Sequence, residues 1–394
     1  MSKDPKTTSQ IIRRQAMDIG AARPVATPLH QSVVYAAGSP DQLDAQYSGQ
    51  LAGYTYAREG HPNAAALAAR IDALEGAEGG LITGSGMAAI TAALLGLLKA
   101  GDHMIGADQL YGRSLRLMSQ DLPRFGIETG QFDPTDAPSL KRALRPNTKL
   151  VLVEALSNPT LRVADMAGIA EICAQHGVIM VLDNTFTTPA MMRSYQVGAD
   201  IIIHSVTKLL AGHADVTLGY VAAKNPDHRK AIYDFAVTTG MTPAPYECWL
   251  AERGLFTFDL RYARAQENAA ALAEFLAHHP KVKRVLYPTR PDHPDHNRAM
   301  ALFEGQGGNM LSFEIEGGRE AANRFVQAAP NIAFAPTLGD VACSLSHPAS
   351  SSHRALTPEG RAALGISEGF FRLSVGIEDV TQLKSDFTAA LAAV

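Results

Sequence analysis

Five short apolar runs recur through the middle of the chain, at Met104–Gly106, Lys149–Glu154, Val178–Asp183, Asp200–His204 and Leu218–Ala222. Several are apolar nearly throughout, without the period-two alternation of a strand that has one wet face. Strands covered on both faces by helices read this way. Helical stretches separate the runs, so the pattern predicts an α/β layer with a mostly parallel central sheet. Upstream, Asn63–Glu75 places Leu67, Ile71 and Leu74 on one helical face, and Gly76 can end that helix. Gly79–Thr83 reads as a short strand and Ser85–Leu98 as a largely apolar, buried helix.

Beyond about Leu250 the character changes. A long amphipathic helix is expected over Leu255–His278, before Pro280. Val282–Tyr287, Gly308–Ile315 and Phe371–Val375 then alternate as half-buried strands, with helices near Gly318–Ala329 and Thr381–Ala393. That is an α+β C-terminal domain. The first stretch has scattered Pro, Gly and Gln and reads as an extended arm. The expected division of the 394 residues is an arm over 1–53, a large domain over 54–250 and a small domain over 251–394.

Charge and cysteine usage exclude several functions. A net charge of −4 offers no basic excess for nucleic acid and no acidic tail. Cys173, Cys248 and Cys343 are far apart in sequence and form no Cys-x-x-Cys, so neither a disulfide framework nor a thiolate zinc site is expected. The polar start of the chain does not resemble a signal peptide. The longest apolar run, Met87–Leu98, has 12 residues, short of the ~20 that a membrane span needs. A soluble, cytoplasmic, globular protein with no membrane partner is the expectation. His293 and His296, and His347 and His353, lack a ligand context, so no metal site is expected either.

The chemistry concentrates in His204-Ser205-Val206-Thr207-Lys208, at the end of an apolar run. Open α/β sheets bind ligands at the carboxyl ends of their strands. A lysine buried there loses proton affinity and becomes a nucleophile able to form a Schiff base. A lone lysine after a strand is usually only a solvated charge, so its neighbours decide the reading. Asp183, in Leu182-Asp183-Asn184-Thr185, closes another apolar run; a carboxylate there can keep a pyridine nitrogen protonated. Thr83-Gly84-Ser85-Gly86-Met87 opens an apolar helix whose free N–H groups and dipole suit a phosphate.

Together, Asp183, Ser205, Thr207, Lys208 and the Ser85-Gly86-Met87 turn resemble the cofactor set of the Cys/Met-metabolism family of fold-type I pyridoxal phosphate enzymes. The resemblance runs from about Pro24 to Asp379, with the Ser-x-Thr-Lys and following Gly212-His213-x-Asp215 as its most specific stretch. It implies the aspartate aminotransferase-like fold and pyridoxal 5'-phosphate as cofactor. Lys208 would hold the cofactor and shuttle protons, Asp183 would pair with the ring nitrogen, and Tyr111 would stack on the ring and help protonate the leaving group. Ser85, Gly86, Met87, Thr185, Ser205 and Thr207 would complete the cofactor grip, with Asn158 at the ring hydroxyl. Tyr56 and Arg58 would reach the phosphate of a neighbouring subunit, so active sites would be shared across a dimer, within a tetramer. Arg372 would clamp the substrate α-carboxylate, and Thr337 would line the same pocket. His213 and Asp215 read as supports of the lysine loop.

The resemblance implies elimination or replacement at the γ-carbon of an amino acid. The reading preferred here is γ-elimination, with Cγ–S or Cγ–O cleavage, on a substrate other than methionine. The alternatives are γ-replacement, as in cystathionine γ-synthases and acylhomoserine sulfhydrylases, and cystathionine β-lyase chemistry. Leu338 stands where bacterial β-lyases usually carry Trp, which leans towards γ-chemistry. Arg113 stands where methionine γ-lyases carry Cys after the Tyr-Gly pair, and Ala236 and Ala342 also depart from family patterns. Arg113 is therefore expected to face the distal end of the substrate, where it would suit a carboxylate tail.

Overall fold

The computed structural model describes residues 20–354 and 356–394. The first part of the expected arm, residues 1–19, lies outside the described residues. From residue 20 to the helix Pro40–Tyr47 the chain has little regular structure, and Val34 bridges to Tyr56.

Helix α1, Pro62–Glu75, starts where its sequence allows it. The His61 ring caps the Ala64 N–H at 3.2 Å, Pro62 sits in the first turn, and Gly76 ends the helix in the left-handed conformation, at φ 70°. Its Leu67 and Ile71 are fully buried, each contributing about 1.5–3 kcal/mol of transfer free energy. Strand β1, Leu81–Thr83, leads into helix α2, Gly86–Leu97, whose first turn is capped by Ser85 Oγ accepting from the Ala88 N–H at 3.0 Å.

Six further strands complete the first sheet: β2 (His103–Ala107), β3 (Glu128–Phe132), β4 (Thr148–Glu154), β5 (Ile179–Asp183), β6 (Ile201–His204) and β7 (Gly219–Ala223). Their order is β1-β7-β6-β5-β4-β2-β3, with β2 to β6 parallel and β7 antiparallel to both of its neighbours. All five apolar runs are strands, within about a residue or two at each end. Strand β3 was not anticipated: its Glu128-Thr129-Gly130-Gln131 is mostly polar, as befits an edge strand with less to bury.

The expected helix over Leu255–His278 is corrected at its start. Helix Pro245–Leu255 ends at Leu255, and helix α3 runs over Phe258–Ala277. The boundary expected between residues 250 and 251 thus falls inside Pro245–Leu255, a helix that packs on α1 of the large domain. The second sheet, ordered β10-β11-β12-β9-β8, comprises β8 (Val282–Leu286), β9 (Met310–Ile315), β10 (Ala333–Phe334), β11 (Ser344–Ser346) and β12 (Phe370–Ser374). It is antiparallel except for the short β10–β11 pair. Two apolar cores result, and α3 joins them: Phe258 and Tyr262 sit in the first, Leu272 and Leu276 in the second. One helix of ~30 Å therefore fixes how the second sheet faces the carboxyl ends of the first.

Candidate active site

Strands β4, β5 and β6 end side by side, and their last residues or following loops carry Glu154, Asp183 and Lys208. A cavity of about 250 Å³ opens over these ends. It is lined by Ser85, Gly86, Met87, Tyr111, Asn158, Asp183, Thr185, Ser205, Thr207, Lys208, Thr337 and Arg372, twelve of the fifteen anticipated site residues. A hollow of about 430 Å³ beside β1 and α1 contains neither the lysine nor Asp183.

The lysine loop is held from three sides. Thr185 Oγ1 accepts the Ser205 N–H at 2.7 Å, and the same hydroxyl donates to Asp183 Oδ1 at 2.6 Å, with the Thr185 N–H adding a bond at 3.1 Å. Thr207 Oγ1 exchanges bonds with the Leu218 backbone at 3.1 and 2.9 Å. The buried Arg261 on α3 donates to the carbonyls of Leu209 and Leu210, both at 3.1 Å. Nothing in the sequence around Arg261 marked it, because these two carbonyls lie some fifty residues away in the chain. His213 bonds only to its own loop, through the Ala211 carbonyl.

Among the described residues Lys208 Nζ has one partner, donating to Thr337 Oγ1 at 3.3 Å. Burial, assisted by the Arg372 charge, lowers its proton affinity below the ordinary lysine range. Arg372, on β12, donates to Asn158 Oδ1 at 2.9 Å and to the Thr337 carbonyl at 2.6 Å. Its Nε has no protein partner, and burial brings its pKa down to about 10. A guanidinium this short of partners is suited to a carboxylate. Asn158 is followed by a cis peptide to Pro159.

Gly339, in the segment that also supplies Thr337 and Leu338, packs against the lysine backbone. A Cβ there would lie 2.5 Å from Leu209 N and 2.8 Å from the Lys208 carbonyl carbon. At Gly86 a Cβ would meet the Ser205 side chain at 2.7 Å, so the start of α2 also presses on this loop.

Three anticipated residues lie elsewhere. Tyr56 is 41% exposed, with the Arg58 guanidinium over its ring at 5.5 Å, and neither lines the cavity. Arg113 does not face the cavity, contrary to expectation. It lies in the short helix Gly112–Arg116 and is exposed, with the adjacent Ser114 buried. Of the other departures, Ala236 is a core residue and Ala342 is exposed; only Leu338 lines the cavity.

Sequence reasoning missed Glu154 as a site residue. It is the last residue of β4 and the register partner of Asp183 on β5, and it accepts the Tyr111 N–H at 2.7 Å. The signal was available, since Glu154 ends an apolar run as Asp183 does. Ile90, Phe186, Thr217, Pro336 and Leu338 complete the wall.

The residues fit pyridoxal phosphate. Asp183 is a half-buried carboxylate that forms no ion pair among the described residues, suited to a protonated pyridine nitrogen. Lys208 is a half-buried amine that likewise has no ion pair among them, and the start of α2 offers backbone N–H groups beside Ser205 to a phosphate. Such a site on a mostly parallel sheet defines a pyridoxal phosphate enzyme of fold type I. More narrowly, the chain belongs to the Cys/Met-metabolism family of these enzymes: the model for Cys/Met metabolism PLP-dependent enzymes matches residues 7–392.

The chain is 38% identical to the cystathionine beta-lyase of Bacillus subtilis, over 97% of this chain and 95% of that one. It is also 38% identical to an L-methionine gamma-lyase of Pseudomonas putida, over 93% and 92%. The solved cystathionine gamma synthase of Xanthomonas oryzae is 37% identical, with a TM-score of 0.88 over 94% of this chain and 93% of that one. Three named activities at nearly equal identity establish a trans-sulfuration type of enzyme and leave the individual reaction to the pocket.

Proposed function

We propose that the enzyme is a lyase that eliminates a γ-substituent, through sulfur or oxygen, from an L-amino acid. The observation that carries this reading is Lys208 Nζ, held by Thr337 alone and depressed in proton affinity, in the same cavity as Arg372. Arg372 would bind the substrate α-carboxylate by a bidentate pair, which orients the Cα–H bond. An amine that is neutral for part of the time can accept the Cα proton and return a proton further along the side chain. When bound, the cofactor supplies the electron sink that makes the Cα and Cβ protons acidic. Asp183, kept in place by Thr185, would hold the ring-nitrogen proton. Tyr111, anchored through its N–H at the cavity mouth, would close over the ring and give a proton to the departing group.

The remaining wall supports an uncharged leaving group. Met87, Ile90, Phe186, Pro336 and Leu338 are apolar, and Lys208 and Arg372 are the cations of the lining. A carboxylate tail would find no partner in Arg113, which is exposed and does not line the cavity. Tyr56 and Arg58, outside their own cavity, would serve the cavity of a second copy, so the working unit would be at least a dimer. A tetramer remains our proposal by family resemblance.

The test is a panel of γ- and β-substituted amino acids assayed for 2-oxo acid and ammonia without added thiol. Release from γ-substituted members supports elimination. A product that forms only when a thiol is supplied would replace this reading by γ-replacement.

A further inference from the structure

The cavity floor carries two carboxylates where the cofactor chemistry needs one. Glu154 and Asp183 close parallel neighbouring strands in register, so their backbones lie about 4.8 Å apart and their side chains share one face. Both line the cavity. They are not equivalently supported. Asp183 Oδ1 accepts two bonds from Thr185, at 2.6 and 3.1 Å, and lies in the field of His204. Glu154 accepts one, from the Tyr111 N–H at 2.7 Å.

The charged groups sharing the cavity with Glu154 are Asp183 from β5, Lys208 from the loop after β6, and Arg372 from β12, with the Tyr111 phenol alongside. Of these, Asp183 is the one whose charge acts on Glu154, and it is of like sign; burial acts in the same direction. Two carboxylates on one face of neighbouring strands each disfavour the other's ionised form. The proton belongs on the one with fewer donors.

We propose that Glu154 works as an uncharged carboxylic acid, a positioning residue that anchors the Tyr111 backbone with one oxygen and keeps its proton beside the ionised Asp183. This rests on the pyridoxal phosphate reaction proposed above. The neutral state has two consequences. A single negative charge stands at the ring-nitrogen end of the cavity, so Lys208 is not driven back to its protonated form by a second one. Tyr111, whose ring is 42% exposed, is located through its backbone by a group whose charge does not enter the reaction.

Infrared spectroscopy of the holoenzyme grown on 13C-labelled glutamate tests this directly. A protonated-carboxyl band at neutral pH that shifts with the label and is absent from Glu154→Gln is expected. The other buried glutamates would not supply it: Glu75 is held by His204, Asn184 and Ser194, and Glu252 by Arg70 and Thr27. In kinetics, Glu154→Gln keeps the acceptor and the neutral charge, so kcat/KM should stay within about threefold of wild type, whereas Glu154→Ala should lose roughly thirtyfold or more, mainly in kcat. A wild-type enzyme without the labelled band overturns the proposal, as does a Glu154→Gln enzyme as impaired as Glu154→Ala. If Glu154→Gln does not fold, the labelled wild-type band alone decides. Failure of γ-elimination on every substrate would strike the proposed reaction and leave the band in place.

Discussion

The hydroxyl of Thr185 takes the N–H of Ser205 at 2.7 Å and gives its own proton to Asp183 at 2.6 Å. One side chain thus ties the carboxylate on β5 to the first residue of the loop that carries Lys208. Replacing Thr185 by Val keeps the shape and removes both bonds. One of these is to a charged group, so the loss should be about 2–3 kcal/mol. The expected result is cofactor affinity reduced roughly thirtyfold or more, measured by titrating cofactor-free protein at the cofactor absorbance. Affinity unchanged within a factor of three would mean that Asp183 and Ser205 hold their places without Thr185.

A second prediction concerns Arg372. Its guanidinium already spans Asn158 and Thr337, and lysine can neither reach both nor present a fork to a carboxylate. Arg372→Lys should lower kcat/KM by about a hundredfold, chiefly through KM, if the lost bidentate pair is worth ~3 kcal/mol. An analogue whose α-carboxylate is replaced by hydrogen should be processed, if at all, equally by both enzymes. A variant that discriminates against this analogue as strongly as wild type would remove Arg372 from the carboxylate role.

Much of this was legible in the sequence because strand ends and helix starts are local. The apolar runs ended at Asp183 and His204, and Ser85-Gly86 opened a helix. Twelve of the residues singled out line one cavity. Arg113 is exposed and lies outside the lining, because nearness to Tyr111 in sequence does not say which way a side chain faces. The contacts of Arg261 with Leu209 and Leu210, and of Gly339 with Lys208 and Leu209, were invisible because they join residues far apart in the chain. Glu154 was hidden differently. Its local signal matched that of Asp183, but its importance comes from register with a neighbouring strand, which sequence alone does not supply.

Burial of Lys208 has a thermodynamic sign. Its folded proton affinity is lowered, first by burial and then by Arg372. The unfolded chain therefore binds the proton more readily across the interval between the depressed folded pKa and the ordinary lysine value near ~10.4. Stability of cofactor-free protein should rise with pH through that interval and carry a penalty below it. Lys208→Met removes the group, so its urea midpoint should exceed that of wild type at neutral pH, with the gap narrowing as pH increases. A gap that widens with pH would contradict a buried, destabilised ammonium.

Arg58 provides a test of shared sites. If Arg58 completes the cavity of a second copy, Arg58→Ala and Lys208→Ala enzymes are each inactive, yet a hybrid dimer has one site free of both changes. A purified hybrid should then regain about half of the wild-type activity per dimer, since one of its two symmetry-related sites is intact. The measurement is activity after co-expression with two different affinity tags, purified through both in succession. Hybrids that stay inactive would place Arg58 in its own subunit's site, and an Arg58→Ala enzyme that is active by itself would place it in neither.

Gly339, between β10 and β11, packs against the backbone of Lys208 and Leu209. Its φ of 85° is open to glycine and costly for other residues, and an added Cβ would press on Leu209 N at 2.5 Å. Both neighbours are backbone, so neither can swing aside, and either the 337–339 segment or the lysine loop must shift. Alanine at 339 should therefore cost about 2–3 kcal/mol of stability through strain and overpacking. Because Thr337 Oγ1 is the partner of Lys208 Nζ, the same shift should also reach the chemistry. The expected outcome is a lowered denaturation midpoint together with at least a tenfold drop in kcat, about 1.4 kcal/mol at the barrier. Gly360, in a surface helix where an added Cβ would meet only ordinary contacts, is the control: Gly360→Ala should leave both quantities unchanged. A Gly339→Ala enzyme that loses stability but keeps full kcat would show that the lysine loop does not depend on this contact.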